Sequence, residues 1–390
     1  MRIVDVKASY LEVPLAEPGL IHEEAPRERK WGFALVKVLT DDGIVGIGGQ
    51  RARVGTWGTD WIKHINDLVK PLLVERIVDP FFIEKYATWM RCQNPYYVAP
   101  RPSCVEMALW DIAGKAARQP VFKLLGAFQD KVRAYASTWN EYQWTPDQWA
   151  GFAVKCREKG FKGIKMYART GPKIEKDIER VKAVRQAVGD EMEIMLDAET
   201  AWSSPPMPSS FQQALKLARA CEKYGVLWLE EALPHLLNPE LSARLASSVD
   251  VQIAGGGKIF GLHNFRMLLE KGALDIVQPD VEAVGGILEL KKTALLAESY
   301  GRGCVPHCYG PGLMLAATLH VAGSTNISWV EFAYFPPAVS VETRDSILKK
   351  PIQIDKDGFL EVPKEPGLGV ELNEDAVNQY TVNEPTANVR

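Results

Sequence analysis

Between residues 132 and 332 one unit repeats eight times: an apolar, strand-like segment, then a loop and a helix-patterned stretch. The segments are VRAYAS (132–137), GIKMY (163–167), EIMLDAE (193–199), VLWLEE (226–231), DVQIAGG (250–256), DIVQPD (275–280), GCVPHC (303–308) and SWVEF (328–332). From the second onward they close on Lys165, Asp197, Glu230, Gly257, Asp280, His307 and Glu331, at steps of 32, 33, 27, 23, 27 and 24 residues. Each step holds one strand, one loop and one helix. Strands alternating with helices read as βαβ units around a parallel sheet. Eight units close a barrel, and a barrel's chemistry sits at the C-terminal ends of its strands. The repeat therefore predicts that Lys165, Asp197, Glu230, Asp280, His307 and Glu331 converge on one mouth.

The intervening helices support this reading. TPDQWAGFAVKCREKG opens on a Thr-Pro cap and ends in Gly. KIEKDIERVKAVRQAVG, SFQQALKLARACEKYG, HNFRMLLEKG and ILELKKTALLAESYG end the same way. Upstream, residues 1–50 read as a β-meander. RIVDVKASYLEV alternates apolar and polar, AEPGLIHEEAPRERKWG reads as a loop, and FALVKVLTDDGIVGIGGQ holds two strands around Asp42-Gly43. Residues 55–128 read as helical, with starts at Asp79-Pro80 and at Ser103 as a cap. The chain divides into an N-terminal α+β cap (1–128), a barrel (129–345) and a turn-rich C-terminal segment (346–390). That last segment is expected to carry two short strands around Asp357-Gly358 and to pack back on the cap.

A net charge of −3 with scattered Lys and Arg argues against nucleic acid or an anionic membrane as the main partner. No segment approaches the roughly 18 apolar residues of a membrane span, and the start of the chain shows no cationic leader. The expectation is a soluble, cytoplasmic protein. The six cysteines form no CxxC pair, and read as reduced, buried thiols. Cys304 and Cys308 flank His307 and are read as small apolar residues rather than metal ligands.

Asp197 and Glu230 end adjacent strands. One strand-end acid is ordinarily a rim salt bridge. Two together, beside Lys165 and His307, point to a hard cation such as Mg²⁺, which takes one or two carboxylates plus substrate oxygens. Asp280 and His307 end the next pair, and a carboxylate beside an imidazole fixes its tautomer and raises its basicity. Lys165 lies roughly opposite, where burial near a metal would lower its pKa and let it take a proton. Tyr167 points the same way two residues on, as proton donor or packing residue. Glu331 is read as a partner of Lys165 or of a substrate oxygen. Together these groups suit removal of a proton α to a carboxylate.

On these residues the chain resembles the enolase superfamily, specifically its mandelate-racemase-like branch that includes the acid-sugar dehydratases. VEMALWDIAGKAARQPVFKLLGA looks like the helix joining cap to barrel, GIKMY like the KxK strand, and LDAE and WLEEALP like the first two metal ligands. IAGGGKIFG looks like the third, QPDVEAVGGI like the Asp, VPHCYG like the His, WVEF like the last Glu, and EPGLGVEL like the C-terminal signature. The resemblance implies a modified TIM barrel, (β/α)7β, under an α+β cap completed by the C-terminal segment. It also implies bound Mg²⁺, a small carboxylate substrate such as a sugar acid, and a homo-oligomer. Cap loops near 16–30 and 50–60 would choose the substrate, with His22, Glu23, Arg51, Arg53 and Trp57 as candidates.

The sequence departs from the pattern in three places. Tyr167 replaces the second Lys of KxK, Gly257 replaces the third ligand, and Glu199 stands where an Asn is usual. A Tyr is a poor base, so two-base racemisation is disfavoured against Mg²⁺-assisted dehydration to a 2-keto-3-deoxy acid. Glu199, two residues after Asp197, is a candidate replacement for the missing carboxylate. An epimerase or lactone cycloisomerase stays open beside the lyase, as does a catalytically impaired or binding paralogue.

Overall fold

The computed structural model describes residues 1–19, 28–52, 56–78, 80–93, 103–138, 144–168, 174–199 and 210–382. The cap opens with three antiparallel strands in the order β1 (Ile3–Gly19), β2 (Glu28–Thr40), β3 (Val45–Ala52). The expected meander is present, but the first connection is shorter than the sequence suggested. Pairing continues past Pro14, opposite Lys30, to Gly19 opposite Glu28. The proline-rich stretch falls at a register shift, where no ladder N–H is needed. Lys30 Nζ reaches Glu12 at 2.6 Å across the hairpin.

Helix Ser103–Ala117 is buried along most of its length and packs on β2 and β3. Ser103 is its first residue rather than its cap. Its Oγ donates instead to the Glu282 carbonyl of the barrel at 2.6 Å, and Glu282 follows the predicted Asp280 by two positions.

The eight barrel strands are β4 (Lys131–Ser137), β5 (Gly163–Tyr167), β6 (Glu193–Asp197), β7 (Val226–Glu230), β8 (Gln252–Gly255), β9 (Ile276–Val277), β10 (Gly303–Cys304) and β11 (Trp329–Ala333). All pair in parallel in sequence order, and β11 returns to β4. Among the described residues no backbone ladder joins β10 to β11. A side chain bridges them, Glu331 Oε2 accepting from the Cys308 N–H at 2.6 Å. β9 and β10 are short because Pro279 and Pro306 interrupt both at one level. Neither can donate to a ladder, and pairing resumes one residue later as an Asp280–His307 bridge. Below the mouth, Tyr135, Met195, Trp228, Ala254, Ile276, Val305 and Trp329 fill the barrel. β5 contributes Gly163 at this level, where a Cβ would meet Met195 Cε at 2.9 Å and Tyr135 Cβ at 3.0 Å.

Among the helices not legible in the sequence, two lie between barrel strands. Pro239–Ala246 is short. Gly312–Ala322 is buried on every side, so its sequence, apolar all round, carries no amphipathic period. The C-terminal segment also differs from expectation. Its single strand among the described residues, β12 (Phe359–Glu361), adds antiparallel to β4 of the barrel. Farther on the segment does meet the cap. The Leu368 N–H donates to Asp111 at 2.8 Å, Lys37 pairs with Glu374 at 2.6 Å, and the Val382 N–H donates to the Tyr10 carbonyl. Cys104, Cys156, Cys221, Cys304 and Cys308 are free and buried. No described helix is long and apolar enough to cross a membrane.

Cap and barrel are joined at Glu106. Its carboxylate accepts from the Ile287 N–H (2.8 Å), the Leu288 N–H (3.0 Å) and Trp110 Nε1 (2.8 Å), closing the N-terminus of helix Ile287–Ser299. Gly286, at φ 109°, leaves the room; a Cβ there would lie 2.3 Å from Glu106 Oε2. Burial outweighs the three donors and pushes the Glu106 carboxyl up to about 7. The folded state thus keeps a proton that the unfolded chain releases near 4.5. This site therefore weakens the fold as pH rises from 4.5 to about 7, by about 3 kcal/mol at most. Urea titrations should show that decline in the wild type relative to Glu106→Gln, and equal pH slopes would contradict it. Gly286→Ala, strained and clashing, should lose about 2–4 kcal/mol.

Candidate active site at the barrel mouth

Lys165 ends its inward path on β5 among three carboxylates. Its Nζ lies 2.7 Å from Glu230 Oε1, 2.9 Å from Glu331 Oε1 and 3.4 Å from Asp197 Oδ2, and the side chain is fully buried. The register explains the convergence. Tyr167 pairs with Asp197 across β5 and β6, and Asp197 with Glu230 across β6 and β7, so the acids stand at one level. Each acid has further donors. Glu230 Oε2 accepts from Gln278 Nε2 (2.8 Å) and Trp228 Nε1 (3.1 Å). Glu331 accepts from Ser137 Oγ (2.6 Å) and from the Cys308 N–H. Asp197 Oδ1 accepts from the Glu199 N–H (2.8 Å).

These contacts set the charges. Burial opposes the Lys165 ammonium, but Glu230 and Glu331 hold its pKa well above the ordinary value. Burial likewise opposes ionisation of Glu331, yet Lys165 and then His307 hold that carboxyl down at about 2. Asp197 moves the other way. Burial and the neighbouring Glu230 raise it well above the usual carboxylate range, with Glu199 and Glu231 adding to the repulsion.

The second cluster follows from the proline-spaced bridge between β9 and β10. His307 Nδ1 stands 2.5 Å from Asp280 Oδ2, and His307 Nε2 is 3.8 Å from Glu331 Oε2. Asp280 Oδ1 accepts from the Glu282 N–H at 2.8 Å. With Nδ1 against Asp280, Nε2 is the imidazole nitrogen turned towards Glu331.

The mouth therefore brings together Lys165, Asp197, Glu230, Asp280, His307 and Glu331. The expected fall in the Lys165 pKa does not occur, because three carboxylates within 3.4 Å favour the ammonium more than burial penalises it. Tyr167 is buried with its ring 5.8 Å from Lys165 Nζ. Burial pushes its hydroxyl well up, which removes it as a base near neutral pH. Glu199 is half-buried and sits past the end of β6 at φ 48°, so strand alternation does not direct its side chain. Gly257 is buried in the turn after β8 and brings no carboxylate. Beside it, the His235 ring packs against Gly255. Glu231 is engaged by His235 at 3.1 Å and by the Gly256 N–H at 2.9 Å. Among the described residues no group of three or more His, Cys, Asp or Glu is arranged to hold a metal.

Arg51, a substrate candidate, is placed beside the second cluster, bound to Glu282 and near Asp280. His22, Glu23 and Arg53 lie outside the described residues. So does the side chain of Trp57, whose backbone begins helix Thr56–His64. Trp228 and Gln278 were missed, although each stands two residues before a predicted site acid and so shares its side of the strand. Ser137 and Glu282 carried no comparable signal.

Comparison with known proteins identifies the family. The mandelate racemase / muconate lactonizing enzyme N-terminal domain family matches residues 24–126, and the enolase C-terminal domain-like family matches residues 148–376. The chain belongs to the enolase superfamily, in its mandelate racemase/muconate lactonizing enzyme branch. It is 35% identical to an arabinonate dehydratase of Saccharolobus solfataricus over 90% of this chain and 91% of that one. It is 28% identical to a D-galactarolactone cycloisomerase of Agrobacterium fabrum, over 99% of this chain and 100% of that one. A variant L-talarate/galactarate dehydratase liganded with Mg and L-glucarate superposes with a TM-score of 0.82 at 28% identity, covering 98% of this chain and 92% of that one. These relatives are dehydratases and a cycloisomerase, and they support an enzyme in this family.

Replacing Lys165 by Met would leave three buried acids facing one another. Unfolding free energy should fall by about 3–5 kcal/mol, as on breaking other buried ion pairs, and added Mg²⁺ should restore more stability to this variant than to the wild type. Unfolding curves unchanged by the substitution would contradict the assigned charges.

Proposed function

We propose that the protein is a hydro-lyase that dehydrates a sugar acid to a 2-keto-3-deoxy acid. The observation that carries the reading is the Asp280–His307 pair, opposite a lysine held as an ammonium. The cation the family implies is tested against the donor set. Asp197, Glu230 and Glu331 face one lysine, with Glu199 adding repulsion at Asp197, so the site has negative charge in excess. Asp197 and Glu230 therefore fit as the two protein carboxylates of a Mg²⁺ site that the substrate's own oxygens complete. With Gly257 in the third position, binding is weaker than three carboxylates would give. When bound, the cation supplies positive charge to the substrate carboxylate as electron density moves onto it.

The chain's own residues handle the proton. His307 Nε2 takes the α-proton, while Asp280 holds Nδ1 and stabilises the imidazolium that forms. The same imidazolium then gives its proton to the departing β-hydroxyl, which leaves as water, and the enol becomes the 2-keto acid. Lys165 stays protonated and offers positive charge to the substrate's oxygens. Glu331, ionised, keeps Lys165 in place and faces the imidazole. One competent base suffices for dehydration. Racemisation needs a second on the opposite face, where this chain has Lys165 as ammonium and Tyr167 as phenol.

Proton NMR in D₂O with Mg²⁺ and pooled aldonic and aldaric acids tests the reading. Loss of the α-proton signal with growth of a 3-deoxy methylene is expected, and His307→Asn should abolish it. Isomerisation of an added lactone without a keto acid would favour a cycloisomerase instead. Gly257→Glu should tighten Mg²⁺ binding, read by calorimetry, by about tenfold, or about 1.4 kcal/mol.

A further inference from the structure

We propose that Arg51 and Glu282 form a positioning pair for Asp280, so that the proton affinity of His307 depends on how the cap is seated on the barrel. The inference rests on the reading of His307 as the base.

Arg51 lies one residue before the end of β3, in the cap. It holds Glu282 by three contacts: its main-chain N–H to Oε2 (2.7 Å), Nε to Oε1 (2.9 Å) and Nη2 to Oε1 (2.7 Å). The same Nη2 is 3.6 Å from Asp280 Oδ2, the oxygen that meets His307. Glu282 in turn holds the other oxygen of Asp280 through its own N–H. Its carbonyl takes the Ser103 hydroxyl, at the start of a second cap element. One acidic residue of the barrel therefore gathers two elements of the cap, and both oxygens of Asp280 are fixed by that assembly.

The consequence is electrostatic. Among the described residues, the charged and titratable groups around His307 include Asp280 on its Nδ1 side, Glu331 near Nε2, Cys308 next in the chain, and Arg51 and Glu282 behind Asp280. Lys165 lies beyond Glu331. Arg51 is always charged. Without it, Asp280 and Glu282 stand as two acids with no cation between them, and His307 holds its proton more tightly. Without the charge of Glu282, Arg51 acts on Asp280 unopposed, and His307 holds its proton less tightly. The two substitutions therefore act in opposite directions. A residue that served only folding, or only a substrate carboxylate, would not do this.

The test is a pH titration of the full-length, Mg²⁺-loaded protein labelled with ¹⁵N-histidine. The six imidazoles are followed together, and His307→Asn identifies the resonance of interest. Arg51→Met should raise the His307 midpoint and Glu282→Gln should lower it, each by about one pH unit or more, while Arg51→Lys stays close to the wild type. The acidic limb of kcat/KM should move in the same directions. An unmoved midpoint in the isosteric Glu282→Gln overturns the proposal even if Arg51→Met fails to fold, and so do shifts of the same sign in both. A rise in KM alone for Arg51→Met, with the midpoint fixed, would assign Arg51 to substrate instead. Because the midpoint is read without substrate, its result is separate from whether a keto acid is formed.

Discussion

The ammonium of Lys165 is the interaction on which the mouth of this barrel depends. Three carboxylates from β6, β7 and β11 are buried within 3.4 Å of it. Even with that charge, burial and Glu230 raise the Asp197 carboxyl, and without it the repulsion among the three would go unopposed. Its position also divides the chemistry. On the Lys165 side the protonation states are fixed by mutual attraction. On the His307 side, Nδ1 is engaged by Asp280 and Nε2 faces Glu331. The mouth thus holds two clusters, one around Lys165 and one around His307, with Glu331 touching both.

The architecture serves that division at some distance. The two prolines that shorten β9 and β10 place Asp280 and His307 as a matched pair at the rim. The Glu106 carboxylate, closing the next helix, fixes the loop that carries Asp280 and Glu282. The cap reaches the same loop through Ser103 and Arg51. Cap and barrel are therefore joined beside the Asp280–His307 pair, rather than only along an apolar seam.

Much of this was legible in the sequence because a parallel barrel writes a regular signal. Apolar runs of strand length recur at similar spacing, and the residue ending each run marks the mouth. Lys165, Asp197, Glu230, Asp280, His307 and Glu331 were all found in that way. What escaped had no periodic or local mark. The helix Gly312–Ala322 is apolar on all sides, β12 joins β4 from more than two hundred residues away, and the Arg51–Glu282 pair spans 231 positions. The protonation state of Lys165 was also misjudged. Burial alone lowers a lysine, and only the distances to three acids reveal that attraction prevails. Gly257, by contrast, was legible at once, because a missing carboxylate is visible without any structure.

The central claim is that a single face of the substrate meets a competent base. The most direct test incubates a pair of C2-epimeric acids of the correct substrate with the Mg²⁺-loaded protein in D₂O and follows the α-proton of each by NMR. The account predicts loss of that proton from one epimer only, the one whose C–H bond faces His307. Exchange in both epimers would require a second base on the Lys165 side and would contradict it.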